Sequence, residues 1–391
     1  MTIDHSYFDI APDRRNSNSY KWDVEEVGPD VIPLWVADMD FRVAPPIIDA
    51  LRAKVEHGVF GYTYVPQTYY DAVKKWFQTR HDWTIRPEHI IYTIGVVPAI
   101  SAIIKAVCQP GDKVIVQTPA YNCFFSSIRN NDCILAANPL LRAEDGSYSI
   151  DFDGLEELAA DPRAKIMILC NPHNPTGRVW TREELLRIAD ICARNGVLVL
   201  SDEIHCELVY PGYKYTPYAS LGEDVAKNSV VCISASKAFN IAGLQIANIV
   251  APDPELRARI DKAININEVC DVNPFGVVAT IAAYNESAPW LDALVDYLND
   301  NRRMTVEFFR QNLPDYPVTN PEATYLLWID CRKTALSSAH IIERLRTDAK
   351  VLLSPGEIYH GEGYIRLNMA CPRQRLHEAL RRIAPVLNAL V

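Results

Sequence analysis

From about residue 90 to residue 250 the chain alternates short runs of β-branched and aliphatic residues with longer amphipathic stretches. This rhythm predicts strands separated by helices, the pattern of a mostly parallel α/β sheet. The candidate strands are residues 90–94, 113–117, 134–138, 165–170, 197–201, 230–234 and 247–251. Between the fourth and the fifth, Thr181 and Glu184 have capping-box spacing. Leu185, Ile188, Ala189 and Cys192 then form an apolar stripe that stops near Gly196, so a helix is expected there. After about residue 286 the pattern changes to long helices. Leu291, Leu294, Val295 and Leu298 share one stripe and Leu376, Leu380, Ile383 and Leu387 another, with short strands expected at 325–329 and 364–367. A large, mostly parallel-sheet domain over residues 46–285 and a smaller α+β domain over 286–391 are therefore expected, joined by the N-terminal segment 1–45. A chain of 391 residues is long enough for two substantial cores.

Composition narrows the partners. The formal charge of -10 argues against broad phosphate-backbone contact, so no nucleic acid is expected and the partner is a small molecule. The longest apolar run, residues 94–107, contains Pro98 and Lys105 and is too short to cross a bilayer. Residues 1–15 are acidic and polar, without a basic segment followed by an apolar one, which points to the cytoplasm. The ten cysteines are scattered, mostly inside apolar runs, and read as buried thiols of a reducing compartment. Without His-Glu-x-x-His or paired Cys/His spacing, no metal site is expected.

In an open parallel sheet ligands collect beyond the carboxyl ends of the strands. Four polar segments fall there: Gly95-Val96-Val97, Asn171-Pro172-His173-Asn174-Pro175-Thr176-Gly177, Ser201-Asp202-Glu203-Ile204-His205 and Ser234-Ala235-Ser236-Lys237. Lys237, after a strand and small hydroxyl residues, could reach a ligand aldehyde and form a Schiff base. Gly95-Val96-Val97-Pro98 opens a helical run over 99–108, so its backbone N–H groups suit a phosphate. Tyr364, Arg366 and Asn368 alternate with Ile365 and Leu367, giving a strand with one polar face from which Arg366 can grip a carboxylate bidentately.

The ordered set resembles the fold-type I enzymes of the aminotransferase class I/II superfamily, which depend on pyridoxal 5′-phosphate (PLP). A closer resemblance is to the MalY/PatB group of C–S β-lyases, carried by Leu34-Trp35-Val36-Ala37-Asp38-Met39-Asp40-Phe41, Asp202-Glu203-Ile204-His205, the segment from Ser236 to Leu244, and Arg366-Leu367-Asn368-Met369-Ala370-Cys371-Pro372-Arg373. The resemblance implies PLP bound through Lys237, whose freed amine removes the substrate's α-proton. Asp202 is implied as the partner of the pyridine nitrogen, Asn174 as a donor to the ring O3′, and Tyr121 as the aromatic stacked on the ring. Val96, Val97 and Ser234 are implied at the phosphate. Tyr62 is implied to cross to the partner's phosphate in a homodimer with shared active sites, and Arg366 to hold the α-carboxylate of a small amino-acid substrate. Two positions depart from the wider superfamily. His205 stands where many relatives have tyrosine, either as a donor near O3′ or as a satisfied buried histidine, and Gln245 replaces the usual phosphate-binding arginine. The implied activity is cleavage of cystathionine or cysteine S-conjugates to a thiol, pyruvate and ammonia. The alternatives are an aminotransferase or, from another class, a regulatory protein on the same fold.

Overall fold

The structure, a computed structural model, describes residues 3–268 and 272–391. Seven strands form the central sheet: β1 (Ile90–Thr93), β2 (Lys113–Thr118), β3 (Ile134–Pro139), β4 (Ala164–Cys170), β5 (Leu198–Asp202), β6 (Ser229–Ile233) and β7 (Ala247–Val250). Each candidate strand of the sequence is one of them, displaced by a residue at most. Their order is β1-β7-β6-β5-β4-β2-β3. Every pairing is parallel except those of β7, which runs antiparallel to both neighbours.

The sheet is buried on both faces, which is why its strands read as nearly continuous apolar runs. Ile166 and Ile168 of β4 pack into the core on one side, with helix α1 (Val96–Val107). Met167 and Leu169 face the other side, against Leu185, Ile188 and Cys192 of helix α2 (Arg182–Arg194). The Thr181–Glu184 capping box closes the start of α2 as expected. Helix α1 begins at Val96, three residues before the expected run. Pro98 falls in its first turn, where a missing N–H costs nothing because that donor would lack an intrahelical partner.

A second core gathers the C-terminal part of the chain. Helix α3 (Ala288–Asn312) places Trp290, Leu291 and Leu294 in the core of the N-terminal part and Phe309 in the C-terminal one. A three-stranded antiparallel sheet follows, built from β8 (Leu326–Asp330), β9 (Ser354–Pro355) and β10 (Tyr364–Asn368) in the order β8-β10-β9. Helix α4 (Arg373–Asn388) covers it through Leu376, Leu380 and Ile383. The N-terminal segment contributes to both cores. Val27, Val31 and Leu34 enter the C-terminal one, Phe8, Met39 and Phe41 the other, and Ile32–Pro33 pairs with Val351–Leu352. Among the described residues no helix is long and apolar enough to cross a membrane. The nine described cysteines are all free thiols, eight of them buried.

Candidate active site

The carboxyl ends of β4, β5 and β6 converge with the start of α1 on a cavity of about 200 Å³. Its walls include Gly95, Val96, Val97, Tyr121, Asn174, Asp202, His205 and Lys237, so most residues singled out from the sequence share one space. Ala37, Pro98, Cys170, Ile204, Ser236 and Ala242 complete the lining.

Asp202 ends β5 and is buried, accepting a 3.1 Å bond from the Ile204 N–H. Burial pushes its pKa up to about 7, only partly offset by that N–H and by Lys237. Among the described residues it lies in no ion pair, so its charge awaits a cation. Lys237 follows β6, and its Nζ donates a 2.6 Å bond to the Ala37 carbonyl. Burial, and then the Arg366 charge, lower its pKa to about 8. The His205 imidazole is held neutral, its pKa lowered to about 3 by burial and next by Lys237 and Arg366. Its Nδ1 is buried without a hydrogen-bond partner.

Arg366 projects from β10, 4 % exposed, with its guanidinium carbon 4.5 Å from the Tyr359 ring centroid. It donates from Nη1 to the Asn174 side-chain oxygen at 3.2 Å and from Nη2 to the Trp35 carbonyl at 3.1 Å. Its Nε has no partner, so the edge of the fork is unspent. At the opposite end α1 presents the N–H groups of Val96 and Val97, which have no acceptor within the helix.

Three implied residues are not part of the cavity wall: Arg366, which meets it through Asn174, and Ser234 and Tyr62, which stand further apart. The Ser234 hydroxyl is engaged past the strand end, donating to the Ile246 carbonyl at 2.6 Å and lying 2.9 Å from Ser236 Oγ, whose hydroxyl can donate to it. Ser236 is the hydroxyl residue that faces the cavity. Tyr62 is 96 % exposed, on the surface beside Phe60 and Thr63. Gln245 is also exposed and does not line the cavity.

The donor set fits PLP. A buried carboxylate without a cation, an amine with a depressed pKa and an unpartnered nitrogen on His205 border one cavity that opens on a helix N-terminus, and Arg366, with its own unpartnered Nε, stands behind the wall residue Asn174. These are the groups required by a cationic ring nitrogen, an aldehyde, a ring oxygen, a carboxylate and a phosphate.

Comparison with known proteins gives the same direction. Residues 29–383 match the family model described as aminotransferase class I and II. The chain is 44% identical over 386 residues to cystathionine beta-lyase PatB of Bacillus subtilis, covering 97% of this chain and 100% of that protein. It is 34% identical to protein MalY of Escherichia coli, with 98% of each covered. The solved structure of cystalysin from Treponema denticola, which contains a pyridoxal 5′-phosphate cofactor, superposes with a TM-score of 0.95 at 36% identity, covering 98% of this chain and 99% of the other.

Proposed function

The chain belongs to the aminotransferase class I and II family, and we propose that within it this protein is a PLP-dependent C–S β-lyase that converts cystathionine or related cysteine S-conjugates to a thiol, pyruvate and ammonia. The observation that carries this reading is the end-to-end match to a cystathionine beta-lyase. The cavity supplies the chemistry. When bound, PLP draws electrons from the substrate's α-carbon, so that a proton and then a β-thiolate can leave.

Lys237 would hold the cofactor's aldehyde and, when free, would take the substrate's α-proton. Its pKa of about 8 leaves a usable neutral fraction near neutral pH. Asp202 pairs with the ring nitrogen and keeps it protonated. Asn174 and the neutral His205 would face the ring oxygen, and Tyr121 would cover the ring. The N–H groups of Val96 and Val97 receive the phosphate, joined by Ser236, whose hydroxyl is tied to Ser234. Arg366 grips the α-carboxylate with its unspent edge, orienting the substrate with respect to Lys237. Thiolates leave readily, so no dedicated acid is assigned.

Tyr62, exposed together with Phe60 and Tyr64, would reach the phosphate of a second copy, so the working unit in this reading is a homodimer, placed in the cytoplasm. A solution mass of one 44.0 kDa chain would remove the dimer from this reading. The reaction is tested with purified holoenzyme and L-cystathionine. Homocysteine, pyruvate and ammonia should form without added keto acid. Strict dependence on 2-oxoglutarate, with the carbon–sulfur bond intact in the product, would instead identify an aminotransferase.

A further inference from the structure

Two of the segments that carry the family resemblance dock on one another. Residues 35–39 present five successive carbonyls to side-chain donors. Trp35 receives Arg366, Val36 receives Asn368, Ala37 receives both Lys237 at 2.6 Å and Tyr325 at 3.0 Å, Asp38 receives Asn368, and Met39 receives Arg14. Asn240, three residues beyond Lys237, grips the same strap from the other side. Its Oδ1 accepts the Met39 N–H at 3.0 Å, and its Nδ2 donates to the Met39 and Phe41 carbonyls at 3.0 Å each. It does so at a φ of 56°, a left-handed conformation that asparagine tolerates better than most residues. Beneath the strap Asp40 is fully buried. One oxygen accepts from Arg14 at 2.9 Å and Trp22 at 2.9 Å and lies 3.2 Å from Lys21 Nζ, and the other accepts from Arg375 at 2.9 Å.

We propose that Asn240 and the Asp40 cluster are positioning residues, which fix the strap so that the Ala37 carbonyl receives the Lys237 amine whenever that amine is free. The inference rests on the role of Lys237 proposed above. A lysine stem is flexible, and a free amine without a fixed acceptor would sample many directions. With one N–H given to Ala37, the nitrogen stays at a defined place and a lone pair remains for the substrate's α-proton. Asn240 binds the strap to the lysine's own loop, so acceptor and base move together. The Trp35 carbonyl gives Arg366 the same registration, which aligns the two ends of the substrate site through one segment of backbone.

The charged groups facing Lys237 are Asp202 with the neutral His205, Arg366, Asp38 of the strap and the Cys123 thiol after Tyr121. A carbonyl acceptor favours the ammonium form, so losing it makes the amine easier to deprotonate. The test titrates Lys237 in cofactor-free protein by acylation with acetic anhydride across neutral to alkaline pH, read by peptide mass mapping, alongside kcat and KM of the holoenzyme. Asn240→Gly accepts the same φ and removes the whole clamp. Its acylation midpoint should fall by about one pH unit, since a bond to a charged donor is lost. Its kcat should drop about tenfold with little change in KM. Arg375→Gln, at the far side of the strap, should move both in the same direction by less. A folded Asn240→Gly protein with the wild-type midpoint and kcat would overturn the proposal. If Asn240→Gly does not fold, an unchanged midpoint in Arg375→Gln would do so. Failure of the underlying role of Lys237 would look different, because the cofactor would then attach to another lysine.

Discussion

Asp40 and Asp202 are both buried carboxylates, yet the protein treats them in opposite ways. For Asp40 burial alone would raise the pKa, but Lys21, Arg375, Trp22 and Arg14 outweigh it and hold the carboxyl below its ordinary value. For Asp202 burial wins, and the pKa rises to about 7. The chain provides Asp40 with its cations during folding and leaves Asp202 without one. A carboxylate that works for the architecture is satisfied within the chain, whereas one that works on a cofactor carries an unpaid desolvation cost until the cofactor arrives.

Removing charge at the two positions should therefore separate stability from chemistry. The largest effect is expected for Asp40→Asn, which leaves Lys21, Arg14 and Arg375 around a neutral group. Breaking a buried ion cluster in this way costs about 3–5 kcal/mol, to be read from denaturant unfolding of the cofactor-free protein. A loss of less than about 1 kcal/mol would mean that the cluster contributes little to folding.

Asp202→Asn is expected to behave in the opposite manner. The cofactor-free protein should be no less stable than wild type, because a neutral amide replaces a carboxylate with no cation. Turnover at saturating PLP should fall roughly tenfold or more, the worth of a charged contact of about 1.5–3 kcal/mol. The pH dependence sharpens the contrast. A group whose folded pKa is raised from 3.8 to about 7 contributes stability at low pH that is lost as pH climbs through that window. Asp40, with a lowered pKa, contributes stability that is lost as pH falls. Without cofactor, Asp202→Asn should thus reduce the loss of stability between pH 4 and pH 7. Near-normal turnover with PLP bound would remove Asp202 from the mechanism.

The smallest effect is expected for Arg366→Lys, which keeps the charge and removes the planar fork. KM for the amino acid should rise about tenfold while the visible spectrum of bound cofactor stays as in wild type. Release of PLP, or an unchanged KM, would place the carboxylate elsewhere.

The contrast also explains what could be read from the sequence. The seven strands were legible because both faces of the sheet are buried, which leaves apolar runs of strand length. The placement of Asp202, Lys237 and Asn174 at one cavity was legible because strand ends collect ligands and each lies in a polar segment that begins where an apolar strand ends. The strap was not, since Ala37 contributes a backbone carbonyl and its partner Lys237 lies 200 residues away. Ser236 could have been found, because both serines before Lys237 lie just past the end of β6, where ligands collect. The choice of Ser236 over Ser234 follows from the bond between Ser234 and the carbonyl of Ile246, the residue just before β7. Tyr62 lies on the surface, and no pattern within one chain shows what a second copy would bring to it.

Reduction of the holoenzyme with borohydride, followed by peptide mapping, tests most directly whether this cavity holds PLP through the lysine that faces Asp202. We expect the cofactor to become fixed to the peptide carrying Lys237, and Lys237→Ala to yield no adduct and to lose more than about a thousandfold in turnover. An adduct on any other lysine would contradict the assignment of the site.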